Sequence, residues 1–193
     1  MAKTEIENYC PKNPKGWRKW LEKNHIQEDS VWLVIHKKNT ANTNLSWSEA
    51  VDHALCFGWI DSTKRTIDSE KYKQYFCKRK AVSNWSKINK EKVADLIKKD
   101  LMTNAGHKSI AIAKTNGSWS ILDTVEALEI PPDLAEELQK RKGAEEFFTM
   151  LSKSAKKILL YWVISAKRKE TRAKRILEIT VNASKNLKPK QFR

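Results

Sequence analysis

The chain has 193 residues, a length that suits one compact domain with an added lobe or tail. Hydrophobic residues make up 40% of it, and no run approaches the ~20 apolar residues that a membrane-spanning helix needs, so we expect no membrane span. The formal net charge of +15 at pH 7 indicates an anionic partner, namely nucleic acid, a membrane surface or a phosphorylated ligand.

Cysteine usage and motif content narrow the functional classes further. Cys10, Cys56 and Cys77 are odd in number and lie far apart without a C-x-x-C pair, so neither a disulfide framework nor a zinc knuckle is indicated. The N-terminal stretch MAKTEIENYC has no apolar signal core, and we therefore expect a cytoplasmic protein. No G-x-G-x-x-G, P-loop or G-x-S-x-G motif occurs, so we expect no cofactor, and no catalytic or metal-binding residue is indicated.

The N-terminal half predicts a small sheet with helices. Residues 1–13 are polar, and we expect them to be loosely ordered. A short helix follows over 16–25, and SVWLVIHKK over 30–38 alternates like a strand. Ser46 and Glu49 form a capping box that begins a helix with Trp47 on its apolar stripe. This helix ends at Gly58, where a left-handed residue is expected.

The next stretch predicts a β-hairpin. Residues 59–67 are extended, DSEK forms the loop, and 72–80 is the return strand. With the strand at 30–38 this makes an antiparallel sheet of about three strands. A symmetrical pairing around the loop places Asp61 opposite Lys78 or Arg79, and we choose Arg79 because its planar fork can hold a carboxylate bidentately.

From Lys80 onward the sequence is helical in character. Helical patterns cover 89–101, 104–117, 131–143 and 144–152. Two helical segments or one broken helix follow over 154–183, with Ile158, Leu159, Trp162, Ile176 and Leu177 predicted on the buried side. The fold class is α+β. We expect a single domain over 1–193, divided into an α+β core over 14–125, a basic helical part over 130–184 and a flexible tail over 185–193.

One polar site is predicted at the end of the hairpin. Asp61 could be a catalytic carboxylate, a turn residue or the partner of a buried cation, and pairing with Arg79 favours the last of these. Arg79 would then bind an anion, and Trp85, on a loop of hydrogen-bonding residues, would bind a flat or apolar moiety. The predicted ligand-binding residues are Asp61, Arg79, Ser83, Trp85 and Asn89. A plain cross-strand ion pair is the structural alternative.

A second predicted surface lies in the C-terminal segment. From Lys153 to Arg193 the chain has 13 Lys or Arg against Glu170 and Glu178, a net charge of +11. Arginine is dense there and suits phosphate better than lysine does. The predicted polyanion-binding residues are Lys167, Arg168, Lys169, Arg172, Lys174 and Arg175. A solvated, solubilising helix face is the alternative.

Four stretches together resemble a known family. They are WSEAVDHALCFGWID, YKQYFCKRKAVSNWSKIN, GHKSIAIAKTNGSW and YWVISAKRKETRAKRI, and in combination they are similar to the YdeI/OmpD-associated, or bacteriocin-protection, family from about Trp17 to about Ala183. The family pattern near F-T-P-R-K is matched at Phe76, Arg79 and Lys80 and departs at the two residues between. The resemblance implies protection against antimicrobial peptides and association with a porin, but no reaction.

Two functions from different classes follow from these observations. The first is a cytosolic, non-enzymatic binding or stress-protection protein with an anionic partner, either nucleic acid or a phosphorylated ligand. The second is a small enzyme or sensor that acts on an anionic metabolite at the site of Asp61, Arg79 and Trp85. A ligand bound at Arg79 would favour the second, and salt-dependent nucleic-acid binding the first.

Overall fold

The computed structural model describes residues 6–38, 40 and 43–193. Within these ranges the chain divides into two compact units, the first ending at Trp119 and the second comprising Ser120–Arg193. Each unit has its own hydrophobic core, and the combination of helices with one sheet confirms the α+β class. A single domain with the boundaries expected above stays a prediction.

The first unit contains a sheet and four helices in its described part. Its strands are β1 (Asn8–Tyr9), β2 (Ser30–His36), β3 (Trp59–Thr66) and β4 (Lys71–Lys78). Its helices are α1 (Pro14–Asn24), α2 (Trp47–Cys56), α3 (Lys87–Lys98) and α4 (Asn104–Thr115).

The sheet has the strand order β1-β2-β4-β3 among the residues described. The three predicted strands are present and antiparallel, but β1 joins them by pairing parallel to β2, so the sheet is mixed. The expectation of a loosely ordered N-terminus is therefore wrong at Asn8–Tyr9, while residues 1–5 lie outside the described residues. A two-residue strand in a polar segment has no periodicity that sequence reasoning could detect.

The register of the hairpin differs from the prediction. Asp61 lies opposite Phe76, and a β-bulge separates Asp61 from Lys64. The backbone amide of Arg79 instead donates to the carbonyl of Gly58, at 2.9 Å. The predicted placement of Asp61 opposite Arg79 is therefore wrong. The turn joins the strands in a different register from the symmetrical one, and the extra residue of the bulge shifts the pairs of Trp59–Asp61 further.

Helices α1 and α2 supply most of the helical side of the first core. Trp17, Trp59 and Phe76 are fully buried, and the indole Nε1 of Trp17 donates to the carbonyl of Ala50 at 3.0 Å. The capping box is confirmed, since the Glu49 amide donates to Ser46 Oγ and the Ser46 amide donates to the Glu49 carboxylate.

The two ends of α2 differ in how well the sequence predicted them. Gly58 has the expected positive φ, 71°, which lets the chain turn directly from α2 into β3. Trp47, predicted on the buried stripe, is 46% exposed because it is the first residue of the helix and its ring extends toward Asp61.

The second unit is helical throughout its regular structure. Its elements are α5 (Asp123–Glu126), α6 (Pro132–Gln139), α7 (Ala144–Met150), α8 (Lys153–Ile164), α9 (Lys169–Ala183) and a 3₁₀ turn (Lys190–Phe192). The alternative of two segments over 154–183 is correct, since α8 and α9 are separate. In the tail, the Phe192 ring lies edge-on to Trp162 at 5.2 Å between ring centroids.

The predicted buried side of α8 and α9 is only partly right. Leu159 and Ile176 are buried as expected, and Trp162 is partly buried. Ile158 and Leu177 are about half exposed, because Leu160, Val163 and Ile179 complete the core face instead. On a helix a one-residue error rotates the inferred face by about 100°.

Candidate functional site

Two of the five predicted ligand-binding residues lie at a cleft of the first unit. The cleft has a volume of about 540 Å³ and is lined by Arg79 and Trp85. This volume falls in the range of roughly 300–1,000 Å³ that is typical of small-molecule sites. Asp61, Ser83 and Asn89 do not line it.

Asp61 has other partners than the predicted one. Its Oδ2 accepts hydrogen bonds from Trp47 Nε1 at 2.8 Å and from Gln74 Nε2 at 3.0 Å. The described residues include no carboxylate in ion-pair contact with Arg79, so the predicted ion pair is wrong. Asp61 acts as an anchor for two neutral donors on the helix-facing side of the sheet.

Arg79 is a desolvated cation in the wall of the cleft. One Nη2 hydrogen donates to the carbonyl of Asn84 at 3.0 Å, and the guanidinium carbon lies 3.8 Å from the centroid of the Trp85 ring. The buried Nε has no hydrogen-bond partner. Burial lowers the pKa of Arg79 to about 10, and the nearby Asp61 carboxylate only partly opposes this effect. The group therefore stays charged at neutral pH in a place that disfavours charge.

Trp85 supports Arg79. The indole is 1% exposed, with the guanidinium over one face and the Trp119 ring at 5.0 Å between ring centroids. A ring buried to this extent cannot present a face to a ligand. The predicted stacking role of Trp85 thus lacks support from its geometry, although the residue borders the cleft. The sequence predicted an accessible side chain because the residues on either side of Trp85 are polar.

Ser83 and Asn89 hold local structure next to the cleft. The Ser83 amide donates to the Lys80 carbonyl at 2.9 Å and closes a turn. The Asn89 amide donates to Ser86 Oγ, the side chain that caps the N-terminus of α3. These contacts fix the loop that carries Trp85 between β4 and α3.

The remaining walls combine apolar side chains with cations. Ile26, 74% exposed, and Ile112, 38% exposed, contribute apolar surface, and Lys80 and Lys108 are exposed cations. Lys78 also borders the cleft, but its Nζ donates to Asp29 and to the Ile26 carbonyl. Sequence reasoning missed Ile26, Ile112 and Lys108 because their elements are distant along the chain, and no local motif marks such a convergence.

The first turn of α4 forms part of the same wall. Asn104 and Ala105 line the cleft, and Gly58 packs against this turn so closely that a Cβ there would lie 3.0 Å from the Ala105 carbonyl oxygen. The tight turn into β3 and the close approach of α4 therefore both depend on Gly58. Gly58 also links this turn to the Arg79 wall, because its carbonyl accepts from the Arg79 amide.

The six predicted polyanion-binding residues separate into two groups. Arg172 holds Asp133 bidentately, with Nε–Oδ2 at 2.6 Å and Nη2–Oδ1 at 2.8 Å. Arg175 Nη1 donates to the Trp162 carbonyl at 2.5 Å and to Ser165 Oγ at 3.1 Å. These two arginines are held by internal contacts of the second unit. The other four cations are exposed: Lys167, Arg168, Lys169 and Lys174.

Neither a group of metal-ligating side chains nor a membrane-spanning helix occurs in the part of the chain that is described. Over residues 6–38, 40 and 43–193, no cluster of three or more His, Cys, Asp or Glu side chains could hold a metal ion. No helix in those ranges is both long and apolar enough to cross a bilayer.

Two family models match the chain, one on each side of the boundary between its two compact units. Residues 9–109 match a Domain of unknown function (DUF8412), and residues 127–186 match the family described as Bacteriocin-protection, YdeI or OmpD-Associated. No curated protein and no solved structure gives a significant match. The resemblance inferred from the sequence is thus confirmed at residues 127–186, while most of the N-terminal motifs quoted for it lie in the other match.

Proposed function

The chain belongs to the DUF8412 family and carries a Bacteriocin-protection, YdeI or OmpD-Associated domain near its C-terminus, and from this premise we propose that it is a non-enzymatic binding protein for a small anion with an apolar body. The ligand would occupy the Arg79 cleft. Phosphorylated or carboxylated molecules with an aliphatic part are the class that fits best.

The observation that carries this proposal is the electrostatic state of Arg79. Burying a charge is costly unless the charge is paired, and Asp61 acts on this guanidinium only from beyond ion-pair contact, while the buried Nε has no hydrogen-bond partner. An anion in the cleft would provide the missing partner. Arg79 can accept it with a preorganised planar fork, because the stack on Trp85 and the bond to Asn84 hold the group in place.

The rest of the cleft supports the same class of ligand. Lys80 and Lys108 raise the local positive potential, while Ile26, Phe57 and Ile112 favour an apolar moiety. The buried Trp85 argues against a stacked base at this position, so a nucleotide fits less well here than an aliphatic phosphate or carboxylate.

The test is a thermal-shift screen with hexyl phosphate, hexanoate, inorganic phosphate and uncharged hexanol. A ligand that binds only the native state raises the melting temperature, by an amount that grows with its concentration over Kd. We expect hexyl phosphate or hexanoate to stabilise the wild type more than either inorganic phosphate or hexanol does.

Arg79→Met is the matched variant for this screen, and Arg168→Met is the control for loss of an exposed arginine. Arg79→Met should fold, because it replaces a partly buried cation without an ion-pair contact by an apolar side chain. It should lose the ligand-induced shift, whereas Arg168→Met should keep it. An undiminished shift in Arg79→Met would show that the anion binds elsewhere.

A second binding function is proposed for the basic segment, where the exposed positions of Lys167, Arg168, Lys169 and Lys174 favour a polyanion. Each phosphate neutralised should steepen the dependence of log K on log salt by roughly 0.7 to 0.9. DNA and RNA binding should be measured at two ionic strengths with the wild type and with these four cations changed to Glu. The internally bonded Arg172 and Arg175 should stay unchanged, so that folding is preserved. Equal binding by both proteins would exclude this surface.

We also propose a role in protection against antimicrobial peptides, which rests only on the description of the C-terminal family. A cytoplasmic location is proposed because Cys10, Cys56 and Cys77 are free thiols. The alternative of a small enzyme or sensor has less geometric support, because Asp61 lies outside the cleft and Trp85 is buried. A peptide-challenge assay with a deletion strain tests the protective role, and cell fractionation tests the location.

A further inference from the structure

A second cavity lies at the opposite end of the β3–β4 hairpin. The Arg79 cleft adjoins the pair Trp59–Lys78, whereas this cavity adjoins the pair Thr66–Tyr72 at the other end of the ladder. Its volume is about 610 Å³. The two sites share no lining residue, so an inference drawn here goes beyond the proposed function.

Trp47 gives this cavity an aromatic surface that is both exposed and fixed. The side chain is 46% exposed, although burying an aromatic side chain of this size is favourable by roughly 1.5–3 kcal/mol. Its Nε1 donates to Asp61, and Asp61 is held in turn by Gln74, which is only 4% exposed. The ring is therefore oriented by a chain of two hydrogen bonds that starts from the buried Gln74, while part of its surface meets solvent. A rigid aromatic ring loses little conformational entropy when a flat ligand stacks on it.

Lysine side chains line the same cavity as that ring. Lys64 Nζ lies 4.1 Å from the centroid of the Tyr72 ring, and no carboxylate of the described chain pairs with it. Lys37 and Lys38 also line the cavity. The Lys37 ammonium donates to the backbone carbonyl of Asp68, which carries no net charge, at 2.9 Å. Lys64 therefore retains the capacity to bind an anionic group, whereas Lys37 also interacts with the Asp68 carboxylate, whose pKa is lowered mainly by backbone hydrogen bonds and further by Lys37.

The single carboxylate among the described lining residues is already engaged. Glu49 Oε2 accepts from the Ser46 amide at 2.8 Å and from the Ser46 hydroxyl at 2.7 Å. These hydrogen bonds lower the pKa of Glu49, which keeps it ionised and committed to the end of α2. Three lysines line the cavity against Glu49, and the Asp61 carboxylate beside it is held by Trp47 and Gln74, so positive charge predominates among the described lining residues and favours an anion.

We propose that this cavity binds a nucleoside phosphate, with the base stacked on Trp47 and the phosphate at Lys64 and the neighbouring lysines. An inorganic anion would leave the aromatic surface unused, and an uncharged aromatic molecule would leave the cations unused. Only a ligand with both parts, joined by a short spacer, uses the whole constellation. A base offers a π-face of the size of the indole, and its stacking is tolerant of base identity.

Calorimetric titration of the full chain with AMP tests this assignment, with adenosine and inorganic phosphate as the two half-ligands. AMP should bind at least about tenfold more tightly than either half-ligand. Trp47→Ala should weaken AMP binding about 5- to 100-fold, the range for loss of one base–aromatic stack. Trp47→Phe keeps an aromatic ring but loses the Nε1 donor to Asp61, so it should bind AMP more tightly than Trp47→Ala and less tightly than the wild type, which separates stacking from any folding defect.

Charge is tested by Lys64→Gln against the control Lys99→Gln, an exposed lysine beyond α3. Lys64→Gln should weaken AMP binding about 5-fold or more and leave adenosine binding unchanged, and Lys99→Gln should do neither. Arg79→Met should bind AMP normally, so failure of the Arg79 proposal remains distinguishable from failure of this one. Absence of AMP binding, or unchanged affinity in Trp47→Ala, would overturn the inference. Affinity that rises steeply with the length of a single-stranded oligonucleotide would overturn it in favour of a polymeric ligand.

Discussion

Replacing Gly106 by alanine should destabilise the first unit, because this residue lets α4 approach the end of α2. An added Cβ would overlap the Cys56 carbonyl oxygen and lie 2.9 Å from the Cys56 carbonyl carbon. It would also lie 2.6 Å from Met102 Cε, but a methionine end can move aside. The Cys56 carbonyl is less free to move, since it accepts hydrogen bonds from the Thr103 amide at 3.1 Å and the Thr103 hydroxyl at 2.6 Å.

Two opposing effects set the size of the change. Alanine is favoured over glycine inside a helix by roughly 0.8–1 kcal/mol. Forcing extra volume into a packed contact costs about 1–3 kcal/mol or more, and displacing the Cys56 carbonyl would also weaken hydrogen bonds worth about 1 kcal/mol each. The steric cost exceeds the helical gain, so we expect a net loss of about 1–3 kcal/mol in the free energy of unfolding.

Urea titration followed by circular dichroism measures this loss. The midpoint should fall without a change in the denaturant slope, and the melting temperature should fall by about 2–4 °C for each kcal/mol lost. Gly16→Ala is the matched control, because the nearest atom to a Cβ there is 3.5 Å away in Pro11, an ordinary contact distance. That variant should be as stable as the wild type or more so. If Gly106→Ala behaved in the same way, the inferred close contact between α4 and α2 would be incorrect.

Three further predictions concern stability. Ser46→Ala removes the side-chain cap of α2 and should cost about 1 kcal/mol in a urea titration; an unchanged midpoint would contradict a stabilising cap. The pKa of His53 is lowered, mainly by burial and next by Arg18, so its contribution to stability is complete above the ordinary pKa near 6.5 and is lost as pH falls below it. The free energy of unfolding of His53→Gln should therefore depend less on pH between about 7 and 5 than that of the wild type, and equal pH profiles would refute this. The hydrogen bonds from Arg172 lower the pKa of Asp133, so the pair stabilises the fold above the ordinary carboxyl pKa and less as pH falls through the lowered value. Asp133→Asn should reduce stability at pH 7 more than at pH 3, and a loss of the same size at both values would argue against the pair.

Local sequence chemistry predicted those features that depend on neighbours in the chain. The capping box at Ser46 and Glu49 needs only two side chains three residues apart, and Gly58 ends α2 because its own backbone reaches positive φ. The alternating apolar residues of β2 and the apolar stripe of α1 were equally readable, since each periodicity states which face is buried. The α+β class followed from these elements together.

The candidate sites depended on information that no local pattern contains. A β-bulge between Asp61 and Lys64 contributes to a register in which Asp61 pairs with Phe76. The amide of the predicted partner, Arg79, donates to the Gly58 carbonyl instead. The polar loop around Trp85 suggested that it would meet a ligand, and the apolar stripe of α2 suggested that Trp47 would be buried, whereas packing buries the first and exposes the second.

From the sequence alone one could determine the α+β class, the two ends of α2, the existence of the hairpin, the excess of basic residues and the presence of Arg79 at the end of β4. Only the tertiary structure decided which side chains share a cavity. Arg79, Ile26 and Lys108 line one cleft, and Asp61 accepts hydrogen bonds from Trp47 and Gln74. Arg172 and Arg175 donate hydrogen bonds within the second unit. The physical reason is that caps and periodicity arise from interactions over a few residues, whereas strand register and cavity lining arise from packing between segments distant in the chain.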